Sequence, residues 1–263
     1  MRTYYENKVF LVTGASGGIG RALAVALAKK GAHVLAMART QEKLIALREE
    51  IGEGIHPFKG DVTQEKDCED AVQAALGITG QFHGLIHNAG ISMRGVALDS
   101  KKEVFRDLME VNFFSMLNLY HPSIEHLRKT QGHLVAVSSV MGRYATQERS
   151  GYCASKHALQ GFMDSVRLEN LEQGIHTMVV SPGFVNTDIA RNALGPDGKP
   201  LGKDGNATLA GLHANDVAET ILKGLQKRKR DLYPAGFKEK LGLFFSKHAP
   251  GFLDKMLLKM AIK

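Results

Sequence analysis

Short apolar runs alternate along this chain with longer stretches in which apolar residues return every three or four positions. The first run, Val9-Phe10-Leu11-Val12, is closed by Thr13-Gly14. An unbroken apolar run of this kind predicts a strand buried on both faces. Further strands are predicted at 33–38, 55–58, 82–87, 133–137 and 177–180, with a short last one at 232–234. Helical periodicity begins near Gly20 and ends at Gly31, and returns at 41–51, 64–76, 102–129, 151–171 and 214–225. Pro122 falls inside the longest of these and predicts a bend there. Strands alternating with helices predict an α/β fold with a doubly wound parallel sheet.

The first strand runs into Thr13-Gly14-Ala15-Ser16-Gly17-Gly18-Ile19-Gly20 and then a helix. Strand, glycine-rich turn and helix in that order make a phosphate site. The glycines let backbone approach the ligand, and the helix N-terminus offers free N–H groups. The spacing Gly14, Gly18, Gly20 differs from the common G-x-G-x-x-G pattern. The second strand ends at Ala38-Arg39-Thr40, where many dinucleotide sites carry a carboxylate for ribose hydroxyls. Arg39 instead suits a 2′-phosphate, and Ser16 adds a hydroxyl, so the reading is NADP(H); the competing reading of Arg39 is a solvated surface residue. Asp61 and Val62 follow the third strand. Asp61 could accept from the adenine amino group, cap the next helix, or do both. Asn88-Ala89-Gly90 closes the fourth strand with small residues that would let a cofactor lie close.

The richest candidate for chemistry is Gly151-Tyr152-Cys153-Ala154-Ser155-Lys156. A tyrosine four residues before a lysine on a helix sets phenol and ammonium on one face. A nearby cation is expected to lower the phenol pKa toward a useful range for proton transfer. Asn112 sits among Val111, Phe113 and Phe114, and a buried amide there needs partners, whether as a core residue or as part of a site. Cys153 reads as a packed small residue.

Composition narrows the classes. The chain has 263 residues, 44% hydrophobic, which suits one large α/β domain. Two cysteines give no disulfide framework and no metal spacing, so a reducing, cytoplasmic setting is expected. The polar start predicts no secretory leader, and no apolar run is long enough to span a membrane. The net charge of +7 carries no nucleic-acid motif with it. It points to an anionic cofactor or an anionic surface. Residues 236–263 interleave Phe244, Phe245, Phe252 and several leucines with lysines, and Pro250-Gly251 predicts two short helices there. Such a basic amphipathic tail would lie on a membrane, cover a pocket or pack on a second subunit.

These motifs in this order resemble the classical short-chain dehydrogenase/reductase family, over residues 8–234. The resemblance rests on Thr13-Gly14 through Gly20, Asp61, Asn88-Ala89-Gly90, Asn112, Ser139, Tyr152 with Lys156, and Pro182-Gly183 followed by Thr187. It implies a Rossmann-like sheet and an NADP(H)-dependent interconversion of ketone and secondary alcohol. Tyr152 would exchange the proton, Ser139 would hold the carbonyl oxygen, and Lys156 would lower the tyrosine pKa and bind ribose. Asn112 would hold a relay water. Ser138 would face away. Pro182, Gly183, Val185 and Thr187 would line the nicotinamide and phosphates. The tail resembles that of the hydroxysteroid-dehydrogenase-like branch, which implies a lipophilic, steroid-like or long-chain 3-keto substrate. A homodimer or homotetramer is implied too. Residues 1–235 would form the catalytic domain, with a substrate loop at 184–212, and 236–263 the tail. The rival readings are a catalytically silent NADP(H) sensor and a membrane scaffold on the same fold.

Overall fold

The computed structural model describes residues 3–202 and 210–261. The 203–209 part of the expected substrate loop and Lys263 of the tail lie outside the described residues. Seven strands form one sheet among the described residues. They are β1 (Val9–Thr13), β2 (His33–Ala38), β3 (Ile55–Lys59), β4 (Gly84–His87), β5 (His133–Val137), β6 (His176–Val180) and β7 (Asp231–Leu232). All pairs are parallel, in the order β3-β2-β1-β4-β5-β6-β7. β1 pairs with both β2 and β4, so the chain reverses its direction of travel across the sheet there. Ligands of doubly wound sheets bind at the carboxyl ends of the strands beside that reversal.

The apolar runs are unbroken because each strand feeds two cores. Phe10 and Val12 face one layer, with α1 (Gly18–Lys29), α2 (Gln41–Ile51) and α7 (Ala214–Gln226). Val9 and Leu11 face the other, with α3 (Glu65–Thr79), α5 (Ser115–Thr130) and α6 (Ser150–Glu169). Strand period two sends alternate residues to opposite faces, and both faces are covered. Two tail helices follow, α8 (Phe237–His248) and α9 (Pro250–Ala261), divided at Pro250 as the sequence predicts. Among the described residues no helix is long and apolar enough to cross a membrane.

The helix predicted at 102–129 is not continuous. α4 (Lys102–Met109) passes through a π-helical turn, Glu110–Phe114, before α5 begins. The interruption falls at Asn112, whereas Pro122 lies inside α5. A π turn inserts one extra residue and re-aims a side chain. Here it turns Asn112 into the interior, where it is fully buried.

The opposite, amino-terminal edge of the sheet carries a buried histidine chain. Tyr4 Oη lies 2.9 Å from His133 Nε2, and His133 Nδ1 lies 2.8 Å from His176 Nδ1. His176 Nε2 lies 2.8 Å from the Lys229 carbonyl. That carbonyl can only accept, so Nε2 of His176 carries its proton. His133 then donates from Nδ1, and Tyr4 donates to it. With both rings neutral, every bond of the chain is made. Burial, joined by mutual and neighbouring positive charge, pushes His133 down to about 3. Burial likewise pushes His176 to about 4, and His87 beneath the site to about 3.

In the unfolded chain these rings titrate near ~6.5. Below that value the unfolded state binds protons that the folded state refuses, so stability falls as pH falls, down to the folded values. Each ring withdraws up to ~1.4 kcal/mol per pH unit inside its window. Urea midpoints measured between pH 7 and pH 5 should therefore decline steadily. A flat profile would contradict the neutral chain.

Candidate active site

The site is built around the end of β1. The Thr13 hydroxyl accepts from the backbone N–H of both Asn88 and Ala89, each at 3.0 Å. Asn88 Nδ2 returns a bond of 2.9 Å to the Thr13 carbonyl. These bonds fasten the end of β4 to the glycine turn. Gly14 takes φ +65°, a left-handed conformation that favours glycine, and a Cβ on Gly20 would collide with the Gly14 carbonyl and the Asn88 amide. The first turn of α1 therefore sits directly on the turn, with no side chain between.

A cleft of about 420 Å³ opens in front of that turn. Gly18, Arg21, Asn186, Thr187, Asp188 and Arg191 are among its walls. Ser16, Gly18 and Ile19 are partly open, and the Thr187 methyl would lie 3.0 Å from a Cβ on Gly18. Two arginines, a helix N-terminus and backbone without side chains fit the phosphates of a dinucleotide. Arg39 stands exposed just beyond β2. Val62 is buried, and its carbonyl accepts from Asn118 Nδ2 at 3.1 Å. Asp61 does not cap α3. Its Oδ1 accepts from the N–H and hydroxyl of Thr63, at 3.0 and 2.9 Å, closing a local turn before the helix starts. The residue flanking α3 is Gln64, with no side-chain cap bond.

The second half of the site gathers below the ends of β4, β5 and β6. Ser139 follows β5, and its Oγ accepts from Met141 N at 3.1 Å. It also bonds the Tyr152 phenol. Tyr152 and Lys156 lie on α6, both buried. Lys156 Nζ donates to the Val137 carbonyl at 3.0 Å and sits 5.9 Å from the Tyr152 ring centre. A Cβ on Gly90 would lie 3.3 Å from that Nζ and 3.0 Å from Asn112 Oδ1, so Gly90 keeps this space clear. Asn112 Nδ2 donates to the Ile91 carbonyl and to Ser155 Oγ, both at 2.9 Å, and its Oδ1 accepts from Ile91 N at 2.9 Å. Both of its amide hydrogens are thus committed, and the side chain has none to give a water. Ser138 is turned toward the α6 backbone, with its hydroxyl 3.3 Å from the Lys156 carbonyl.

Tyr152 departs from expectation. Burial pushes its phenol above the ordinary value, and the Ser139 hydrogen bond and the Arg149 charge offset that only in part. The lysine ammonium, held at the Val137 carbonyl, is not among the groups that pull it down. Burial also pushes Lys156 down to about 8. Desolvation opposes both charged forms and is the largest cause of each shift. Sequence reasoning missed Arg149, although it stands one helical turn before Tyr152. It also missed Arg21 and Arg191 in the cleft wall.

Among the described residues, the segment after β6 is pinned at several points. Val140 N bonds the Pro182 carbonyl at 3.0 Å, and Gly183 N bonds Pro234 O at 3.1 Å. Bridges join Val185 to Leu212 and Leu194 to both Met93 and Pro200. The tail closes the far side. Gly242 is buried, and a Cβ there would lie 2.9 Å from the Tyr144 ring. Leu243 joins the cluster of Met93, Met141, Tyr152 and Cys153.

This architecture has known counterparts. The short chain dehydrogenase family model matches residues 8–196. A bovine (Bos taurus) dehydrogenase/reductase SDR family member 7B is 33% identical over all of this chain and 84% of its own length. A solved short chain dehydrogenase from Burkholderia cenocepacia, in complex with NADP, superposes with a TM-score of 0.80 at 25% identity, covering 97% of this chain and 98% of that one. A 3-ketoacyl-(acyl-carrier-protein) reductase from Brucella melitensis, complexed with NADH, shares the fold with a TM-score of 0.80 at 23% identity, over 89% of this chain and 99% of that one. The chain belongs to the classical short-chain dehydrogenase/reductase family, and so to its oxidoreductases.

Gly20→Ala should force α1 off the turn. The expected outcome is a loss of ~1–3 kcal/mol of stability with weakened nucleotide binding, as overpacking against backbone brings. Thermal unfolding with and without NADPH checks it, and an unshifted melting temperature would contradict the contact.

Proposed function

We propose that the chain is an NADP(H)-dependent oxidoreductase that interconverts a lipophilic ketone and its secondary alcohol. The observation that carries the reading is the buried group of Ser139, Tyr152 and Lys156 at the carboxyl edge of the sheet. It stands beside a cleft walled by glycine backbone and arginines. NADP(H), when bound, supplies or accepts the hydride. Gly14, Ser16, Gly18, Ile19 and Gly20 would hold its phosphates, with Asn88, Ala89 and Gly90 beneath. Arg39 would face the 2′-phosphate, and Asp61 and Val62 the adenine. Pro182, Gly183, Val185 and Thr187 would border the nicotinamide.

Tyr152 gives its proton to the carbonyl oxygen during reduction and takes it back during oxidation. A phenol held above its ordinary value by burial stays protonated at neutral pH, so the proton is in place when the substrate arrives. Ser139 keeps its oxygen on Met141 N, and its hydroxyl hydrogen, which lies against the Tyr152 phenol, would turn to the substrate oxygen. Lys156 would bind the ribose hydroxyls and move protons to Tyr152. A relay water at Asn112 would use the main-chain carbonyl, since the side-chain hydrogens are committed.

The apolar wall of Met93, Met141, Tyr144 and Leu243 supports a steroid-like or long-chain 3-keto substrate. On α8 and α9, Phe237, Phe244 and Phe252 are 81%, 55% and 56% exposed. Lys238, Lys240, Lys247 and Lys255 flank them, which supports contact with an anionic membrane surface. Phe114, in the π turn just before α5, is exposed, which supports a homodimer or homotetramer through α5 and α6. Two buried free cysteines fit a cytoplasmic setting.

A carbonyl panel from small ketones to steroids and long-chain 3-keto lipids, assayed with NADPH and NADH, tests the reading. Tyr152→Phe should lower turnover ~10²–10⁴-fold, the usual worth of a general acid, while NADPH still binds. NADPH binding with no turnover across the panel would favour the silent sensor. Arg39→Ala should raise KM for NADPH and leave KM for NADH unchanged; equal effects on both would remove the 2′-phosphate role. The Phe237→Ser/Phe252→Ser protein should lose binding to anionic vesicles, and vesicle binding that is absent in the unaltered chain would exclude the membrane role.

A further inference from the structure

Ser139 lies just past the last residue of β5. On either side of it the pairing with β6 continues, from Ser138 N to the Val180 carbonyl at 2.7 Å and from Val140 N to the Pro182 carbonyl at 3.0 Å. A side chain of α6 meets this point. Gln160 Nε2 donates to Ser181 Oγ at 3.2 Å and to Ser138 Oγ at 3.3 Å, and it reaches the Ser139 carbonyl at 3.5 Å. A carbonyl only accepts, which identifies the atom facing it as the amide nitrogen. Gln160, Ser138, Ser139 and Ser181 are all buried. Gly142 leaves room for the contact, since a Cβ there would lie 2.7 Å from both Gln160 Nε2 and Ser138 Oγ.

The other half of the amide gains nothing. Gln160 Oε1 is buried and has no hydrogen-bond partner among the described residues. A buried orphan acceptor works against stability, so stability by itself favours an apolar side chain at this position. What the position does offer is alignment. Tyr152, Lys156 and Gln160 stand four residues apart on α6, a spacing that puts them along one face of the helix. We propose that Gln160 is a positioning residue for Ser139: its amide nitrogen binds the ends of β5 and β6 to the α6 face that carries Tyr152 and Lys156, and so sets where the serine hydroxyl stands relative to the phenol. The proposal rests on the oxidoreductase reading for the role of Ser139, but not for the contact. The neighbouring bonds do not replace it. Met141 N to Ser139 Oγ and Gly142 N to the Ser139 carbonyl, at 3.1 and 2.9 Å, close the local turn. Ser138 Oγ, 3.3 Å from the Lys156 carbonyl, ties β5 to the helix without reaching β6.

Gln160→Met keeps the length of the side chain and removes both halves of the amide. Hydrogen exchange followed by NMR on the full chain reads the contact without any substrate. The Ser138 and Val140 amides should exchange roughly tenfold faster in the variant, while the amides of β1 keep their rates. On a carbonyl that the unaltered chain turns over, kcat should fall ~10–10²-fold, as misplacement of a group at the reacting centre brings, with NADPH binding unchanged. The Ser139→Ala/Gln160→Met protein should be no slower than Ser139→Ala alone, because the amide acts through the serine. Unchanged exchange, an unchanged kcat, or losses that add in the double variant would each overturn the proposal. Should Gln160→Met fail to fold, Ser181→Ala removes the β6 side of the contact and leaves the amide in place. Faster exchange at Val140 then supports the proposal, and an unchanged rate overturns it. Faster exchange in Gln160→Met, with no turnover of any carbonyl by the unaltered chain, would support the contact and remove the oxidoreductase reading instead.

Discussion

The bonds at Thr13 are the constraint on which the rest of the site depends. One hydroxyl accepts two backbone N–H groups, from Asn88 and Ala89, and Asn88 bonds back to the Thr13 carbonyl. They join β1 and β4 at the point where the sheet reverses its order. The glycine turn on one side and Gly90 on the other are held at a set spacing as a result. Gly90 lies against Asn112 and Lys156, so the glycine turn and the Tyr152–Lys156 group share one rigid anchor. Buried backbone groups must be paired, and here the pairing also fixes the site.

Desolvation sets the chemistry inside that frame. Tyr152 and Lys156 are both buried, and burial moves each away from its charged form. A neutral phenol is suited to giving a proton, and a lysine near 8 is suited to passing one at neutral pH. The π turn serves the same interior. It sends the Asn112 side chain inward, where it is used up on Ile91 and Ser155 and braces the segment before Ser92 against α6.

Much of this is legible in the sequence, for stated reasons. Strand periods, the glycine turn and the helix break at Pro250 are local patterns, and local patterns survive in one dimension. The order of Thr13, Asn88, Ser139 and Pro182 at successive strand ends also placed them on one edge. Three features were not legible. The π turn depends on what Asn112 meets across the fold. Asp61 was read as an adenine contact with helix capping as the competing role, and in place of the cap it closes a local turn with Thr63. The Tyr152 shift was read with the wrong sign, because spacing shows a neighbouring charge while burial is a property of the folded whole. Arg149 was visible one turn before Tyr152, and only its buried anchor at Ser92 distinguishes it from a surface arginine.

The most direct measurement is the transfer of a label. NADPH carrying deuterium in both positions of its hydride-donating carbon would be incubated with the full chain and a hydrophobic ketone that it turns over. The account predicts deuterium on the carbinol carbon of the product and almost none with Tyr152→Phe. Equal labelling in both proteins would contradict the role given to Tyr152, and an unlabelled alcohol would contradict hydride transfer itself.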